Sequence, residues 1–219
     1  MKVSVKKISM LFFIFLQLIV QCIALKYLPD QIPAHYGFNG EVTRWGNKYE
    51  SLITPIIGVI FCLSMFIYTN TISKKEKYKN NIKAFTVCNI VLIILFNTLT
   101  FSFLITDFKQ TTNLNNSLTY KLIYLIVGII FVIIGNYLPK CKQNRLIGIR
   151  TKLTLSDSNI WFKTHRFAGV VFVIWGCIFT LASLILSFKL LTLALFIGLL
   201  LIMIIIFTYS IKFKTNILK

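Results

Sequence analysis

Two short stretches of the chain carry side chains whose types and spacing could do chemistry. In LPDQIPAHYGFNGEVTRWGNK, residues 28–48, His35, Tyr36, Arg44 and Trp45 flank Asn39-Gly40. An imidazole, a phenol, a guanidinium and an indole brought together can grip an amphipathic ligand through cation–π contacts and hydrogen bonds. The other stretch, GNYLPKCKQNRLIGIRTKLTLSDSNIWFKTHRFAG, residues 135–169, sets Trp161 and His165 four positions apart, on one face of a helix. No Ser/His/Asp set, carboxylate pair or phosphate-cradling glycine loop is evident, so the chemistry expected is binding and not catalysis, with no cofactor. The five cysteines are widely spaced and lack a Cys-x-x-Cys pair, and the two histidines lie in different loops, so no metal site is expected.

In the first stretch, Asn39-Gly40 is a two-residue turn signature in which both positions take positive φ. That register places Phe38 opposite Glu41, Tyr36 opposite Thr43 and His35 opposite Arg44. Pro29 and Pro33 stiffen the entry. An isolated hairpin is marginal in water, so it must lean on helix ends or headgroups, where Tyr36, Phe38 and Trp45 suit an aromatic belt. It serves either as a cap on a helix bundle or as a binding face. In the second stretch, residues 146–155 are apolar enough to lie in a membrane interface, with Gly148 allowing a bend and Arg150 and Lys152 reaching headgroups. Ser156 reads as an N-cap with Asp157 in the first turn. Trp161 reads as an interfacial anchor and His165 as a hydrogen-bonded helix-end residue. Cys141 is the cysteine placed near an aqueous edge.

The elements that must position these loops are membrane spans. Of the 219 residues, 57% are hydrophobic and 14% charged, with a mean hydropathy of +0.78, too apolar for a water-soluble domain. Six apolar runs, at 8–25, 52–72, 84–106, 122–138, 167–188 and 190–211, approach the roughly 20 residues that cross the hydrocarbon as a helix. The first run is long for a signal peptide and no small-x-small site follows it, so it reads as a retained helix. Pro139 ends the fourth. No Asp, Glu, Lys or Arg sits centrally in a run, and Gln17, Gln21, Asn89, Asn97 and Asn136 read as helix–helix glue.

The formal charge of +18 would suggest nucleic acid in a soluble protein, but the basic residues lie between apolar runs. Direct nucleic-acid binding is therefore not expected. Lys2, Lys6 and Lys7, then Lys74, Lys75, Lys77, Lys79 and Lys83, then Lys140, Lys142, Arg145, Arg150, Lys152, Lys163 and Arg166, and finally Lys212, Lys214 and Lys219 all fall on one side. Asp30, Glu41, Glu50 and Asp107 fall on the other. The positive-inside rule puts both termini in the cytoplasm and the first stretch outside. The expectation is one all-α membrane domain over residues 1–219: six transmembrane helices, a short extracytoplasmic β-hairpin-like loop after helix 1, and a long basic cytoplasmic loop before helix 5.

Residues 28–48 resemble the outer-loop motif of a bacterial membrane domain of unknown function. Residues 135–169 resemble the signature of the SdpI family, whose namesake is an immunity protein; Gly-Asn, Gly-Ile-Arg-Thr and Trp-x-x-x-His recur at the family's spacing. The resemblance implies a multi-pass protein of the bacterial cytoplasmic membrane that protects against a secreted membrane-active peptide toxin. It also implies a signalling role, in which a cytoplasmic transcriptional autorepressor is held at the membrane. Carried over by position, the outer candidates are Pro29, Pro33, His35, Gly40 and Trp45. The inner ones are Gly135, Asn136, Arg145, Gly148, Arg150, Thr151, Thr154, Trp161, Thr164 and His165. The chain departs from the family at Lys152-Leu153, where Pro-Trp is common, and at Val42-Thr43, where an acidic position is shifted or lost. Combined with the residue reading, toxin contacts fall to His35, Tyr36, Arg44 and Trp45, on a loop shaped by Pro29, Pro33, Asn39 and Gly40. A transporter or lipid-handling protein is the alternative, and a membrane enzyme using His165 and Arg150 at the inner interface is a third.

Overall fold

The computed structural model describes residues 5–217, apart from the side chains of Lys77, Asn116 and residues 214–217. Of the basic residues counted above, Lys2 and Lys219, and the side chains of Lys77 and Lys214, lie outside the described residues. The chain runs α1 (Val5–Ala24), β1 (Gln31–Tyr36), β2 (Val42–Asn47), α2 (Ile53–Ile72), α3 (Ile82–Phe108), α4 (Leu118–Tyr137), α5 (Lys152–Ser156), α6 (Ser158–Ile185) and α7 (Phe188–Ile217). All of these except the two strands and the five-residue α5 are long and apolar enough to span a bilayer, six in all. The six apolar runs thus coincide with six long helices. Pro139 is the second residue of a short 3-10 turn, Leu138–Lys140, directly after α4, where the missing N–H of proline ends the α-helical ladder.

The helices pack as two groups of three. Ile14 of α1, Val59 and Cys62 of α2 and Ile93 of α3 form one core, with Gln17 completely buried beside them. Gln17 donates to the Ile14 carbonyl (3.2 Å) and accepts from Thr100 of α3 (3.3 Å), the expected use of a polar side chain between apolar helices. Asn97 likewise donates across to the Phe13 carbonyl (3.0 Å), whereas Asn136 faces outward and bonds Lys140, on its own side of the chain, at 3.4 Å, so it is no interhelical glue.

In the second group, Tyr120 and Tyr124 of α4, Phe179 of α6 and Leu191 of α7 cluster near one end, and Leu138, Ala168, Ile202 and Ile206 near the other. α4 and α6 approach closely through a pair of glycines on each helix, the two of a pair spaced by seven. A Cβ at Gly135 would lie 2.7 Å from the Gly169 carbonyl oxygen, and one at Gly176 would lie 2.7 Å from that of Gly128. Apolar side chains gain little by leaving lipid for one another, so contact this close supplies dispersion energy where hydrophobic exclusion is weak.

The two ends of the bundle differ. One carries the hairpin, the connection 109–117 and the α6–α7 turn. The other carries the start of α1, the end of α7, the α2–α3 connection and the long connection 138–157, where Asn81 and Lys142 exchange hydrogen bonds of 3.1 and 2.8 Å.

Candidate functional site

The hairpin forms, with a different turn from the one expected. Of Asn39 and Gly40 only the glycine has positive φ, +82°. The Gly40 N–H donates to the Gly37 carbonyl (2.9 Å) and the Gly37 N–H to that of Glu41 (2.8 Å), giving a three-residue loop closed by a left-handed glycine. The added loop residue changes the pairing near the tip. His35 pairs with Arg44 as expected, but Tyr36 pairs with Val42 and not with Thr43, across irregularities on either side of His35. Pro33 is buried in β1 opposite Trp45, and Pro29 precedes the strand, half-buried.

The hairpin is held from three sides. The Val42 N–H donates to Thr112 (3.0 Å) and the Leu114 N–H to Gly40 (2.7 Å), so the α3–α4 connection runs alongside it like a short third strand. Asn115 donates to the Asn39 carbonyl (2.7 Å) and accepts from the Phe188 N–H (3.1 Å), tying the turn to the start of α7. Arg44 makes a two-pronged ion pair with Glu50, 2.7 and 3.2 Å, and Glu50 also accepts from the Asn47 N–H. These bonds supply the support that an isolated hairpin lacks.

Beneath it lies a cavity of about 510 Å³ enclosed by the strands and by α2, α3, α4 and α7. That size suits a drug-sized molecule or a few side chains. Three of the four toxin-contact candidates, His35, Tyr36 and Arg44, line it, as does Pro33. Trp45 does not line it; the residue is 42% exposed on the hairpin surface, apart from the three it was expected to join. His35 Nδ1 lies 2.6 Å from the Thr43 hydroxyl, and the Tyr36 hydroxyl donates to the Thr111 carbonyl (2.9 Å). Burial raises the Tyr36 phenol above its ordinary range; a hydrogen bond at Thr106 opposes the rise and the nearby Asp107 carboxyl adds to it.

Asp107 is the lining residue that sequence reasoning missed. The third run ended at Thr106, which left Asp107 in a loop; α3 continues to Phe108 and carries Asp107 into the wall, 4% exposed. Its side chain makes no hydrogen bond or ion pair with any described residue. An isolated acid flanking an apolar run was the available signal.

At the opposite end, the signature residues build a closed knot around α6. Asp157, not Ser156, caps that helix, accepting from the Asn159 and Ile160 N–H groups. The cap moves by one residue because Ser156 is taken up by the last turn of α5, whose own N-cap is Thr151 in a reciprocal box with Thr154. Trp161 is no interfacial anchor. It is 2% exposed, and its indole N–H donates to the Cys141 carbonyl (2.7 Å). The His165 ring stacks on Trp161 with centroids 3.9 Å apart. His165 Nε2 accepts from the Ile149 N–H (3.0 Å), so its proton sits on Nδ1, which donates to the Trp161 carbonyl (2.9 Å).

Residues 146–155 fold back onto α6. Gly148 bends the chain at φ +101°, where a Cβ would strike His165 Nε2. Thr154, fully buried, donates to the Ile149 carbonyl (2.7 Å), and Thr164 shares a hydrogen bond with Ser210 of α7. Cys141 is buried as well, contrary to the aqueous edge expected for it. Arg145 and Arg150 remain on the surface, Arg150 bonding the Arg145 carbonyl (2.8 Å), while Gly135 and Asn136 lie on α4. Both ring nitrogens of His165 are thus engaged in hydrogen bonds within the knot.

A family model described as the SdpI/YfhL protein family matches residues 140–210, and one described as a domain of unknown function (DUF1648) matches residues 12–59. The immunity protein SdpI of Bacillus subtilis (strain 168) is 30% identical over 178 residues, covering 81% of each chain. No solved structure matches.

Proposed function

Because the chain belongs to the SdpI/YfhL protein family, a family of multi-pass bacterial membrane proteins, we propose that it is a non-enzymatic immunity protein of the cytoplasmic membrane. It confers resistance to a secreted membrane-active peptide toxin. The observation that supports this reading most is the similarity to an immunity protein along four-fifths of both chains. In the proposed orientation both termini are cytoplasmic, following the lysine and arginine bias, and the hairpin faces the side from which a secreted peptide arrives. The peptide is engaged by Trp45 on the hairpin surface and by His35, Tyr36 and Arg44 at the mouth of the cavity, before it can permeabilise the bilayer. Expression in a sensitive host should raise survival under peptide challenge. Tyr36→Ala with Trp45→Ala should remove most of that protection at unchanged membrane abundance; full protection by the double variant would refute the outer contact.

Signalling to a cytoplasmic autorepressor is the finer part of the proposal. The surface it offers is the exposed rim of Arg145 and Arg150 around the knot, with Thr151, Trp161, Thr164 and His165 holding that rim in shape. The alternative reading, a transporter or lipid-handling protein, draws on the cavity of about 510 Å³. Survival under challenge separates the two, since a carrier of an unrelated molecule protects no cell.

A further inference from the structure

The cavity under the hairpin has an imbalance of charge. Its lining includes two carboxylates, Glu50 and Asp107, and one guanidinium, Arg44, which is committed to Glu50 at 2.7 Å. Asp107 is thus an acid only 4% exposed, with no hydrogen-bonding or cationic partner for its side chain among the described residues, and it opens onto empty space large enough for a ligand. An ionised carboxylate in such a place is expensive unless a cation joins it. Elsewhere in the lining, the hydroxyls of Tyr36, Tyr120 and Tyr124 bond the carbonyls of Thr111 and Leu186 and the hydroxyl of Thr192, and Tyr36 is the one of the three whose phenol feels the Asp107 charge. The phenol oxygens of Tyr36 and Tyr120, which donate in those bonds, keep lone pairs that can accept from an ammonium, and the rings of the three tyrosines share the lining with those of Phe103 and Phe188. A carboxylate with aromatic faces nearby is the arrangement that receives an ammonium group on an apolar frame.

We infer that this cavity binds a protonated primary amine carried on an aromatic or aliphatic frame, with the ammonium seated at the Asp107 carboxylate. The inference rests on the immunity reading for its physiological source, a lysine side chain or amino terminus of the peptide; a free amine shares the same chemistry.

The test is calorimetric titration of the full chain in lipid nanodiscs with tryptamine, N-acetyltryptamine, the amide of Phe-Lys-Phe, and that peptide acetylated on both amines. The wild type should bind at least one cationic probe ten-fold or more tighter than its acetylated counterpart. Preference for the peptide alone identifies a peptide source, and preference for tryptamine a small-molecule one. Asp107→Asn should erase the preference and Asp107→Glu should keep it. Val127→Trp, which fills the cavity from α4 and leaves Asp107 in place, should block every probe. Equal binding of free and acetylated probes by the wild type overturns the inference without recourse to any variant, and so does a preference that survives Asp107→Asn. Survival under toxin challenge is scored separately. A wild type that prefers amines through Asp107 yet protects no cell sinks the immunity reading and leaves the site. Protection without amine preference does the reverse.

Discussion

Trp161, His165 and Gly148 show how an apparently reactive motif can be spent on holding a loop. The indole N–H, the imidazole Nε2 and the glycine's left-handed backbone each serve the folding of residues 141–149 onto α6, and Nδ1 fixes the ring by bonding the Trp161 carbonyl within the helix. Removing the indole N–H leaves the buried Cys141 carbonyl without its donor, at about 1–3 kcal/mol. In a variant that keeps Cys141 as its single cysteine, that thiol should resist a membrane-permeant maleimide. Adding Trp161→Phe should speed labelling several-fold, as the connection opens more often. Equal labelling rates would show that the indole bond does not hold the connection shut.

The element that most needs its own sequence is the α4–α6 pair. Its glycines bring backbone against backbone, and a side chain at Gly169 would meet the Gly135 carbonyl at 2.7 Å and the Pro139 ring at 2.8 Å. Gly169→Val should lower stability by about 1–3 kcal/mol, the usual range for overpacking, read as a fall in the thermal midpoint in detergent. The hairpin depends on a different kind of contact. Asn115→Ala removes both of its ties to Asn39 and Phe188. Proteolysis of the hairpin should accelerate in that variant while the thermal midpoint moves by less than for Gly169→Val. An unchanged cleavage rate would mean that the strand-like contacts at Thr112 and Leu114 suffice.

For the molecule as a whole, the testable matter is which end meets the outside. The hairpin, the 109–117 connection and the α6–α7 turn share one end, so a single reporter assigns all three. In a cysteine-free background, Asn39→Cys should react with an impermeant thiol reagent in intact cells. Lys79→Cys, in the α2–α3 connection, should react only after the membrane is opened. The opposite pattern would invert the bundle and remove the route by which a secreted peptide reaches the cavity.

The number and order of the six spans, the hairpin and the i, i+4 pairing of Trp161 with His165 were legible in the sequence, because each rests on a local rule of hydropathy, turn chemistry or helical period. The glycines spaced by seven were present to be read, but their partners were not, since which helix faces α4 is not a local property. The same limit hid the fate of the polar groups. Trp161 went from anchor to buried donor, Cys141 from accessible to enclosed, and Asp107 from loop acid to cavity wall. Whether a polar side chain is solvated, bonded or left facing an empty space depends on what the rest of the chain brings to it, and only the packed bundle decides that.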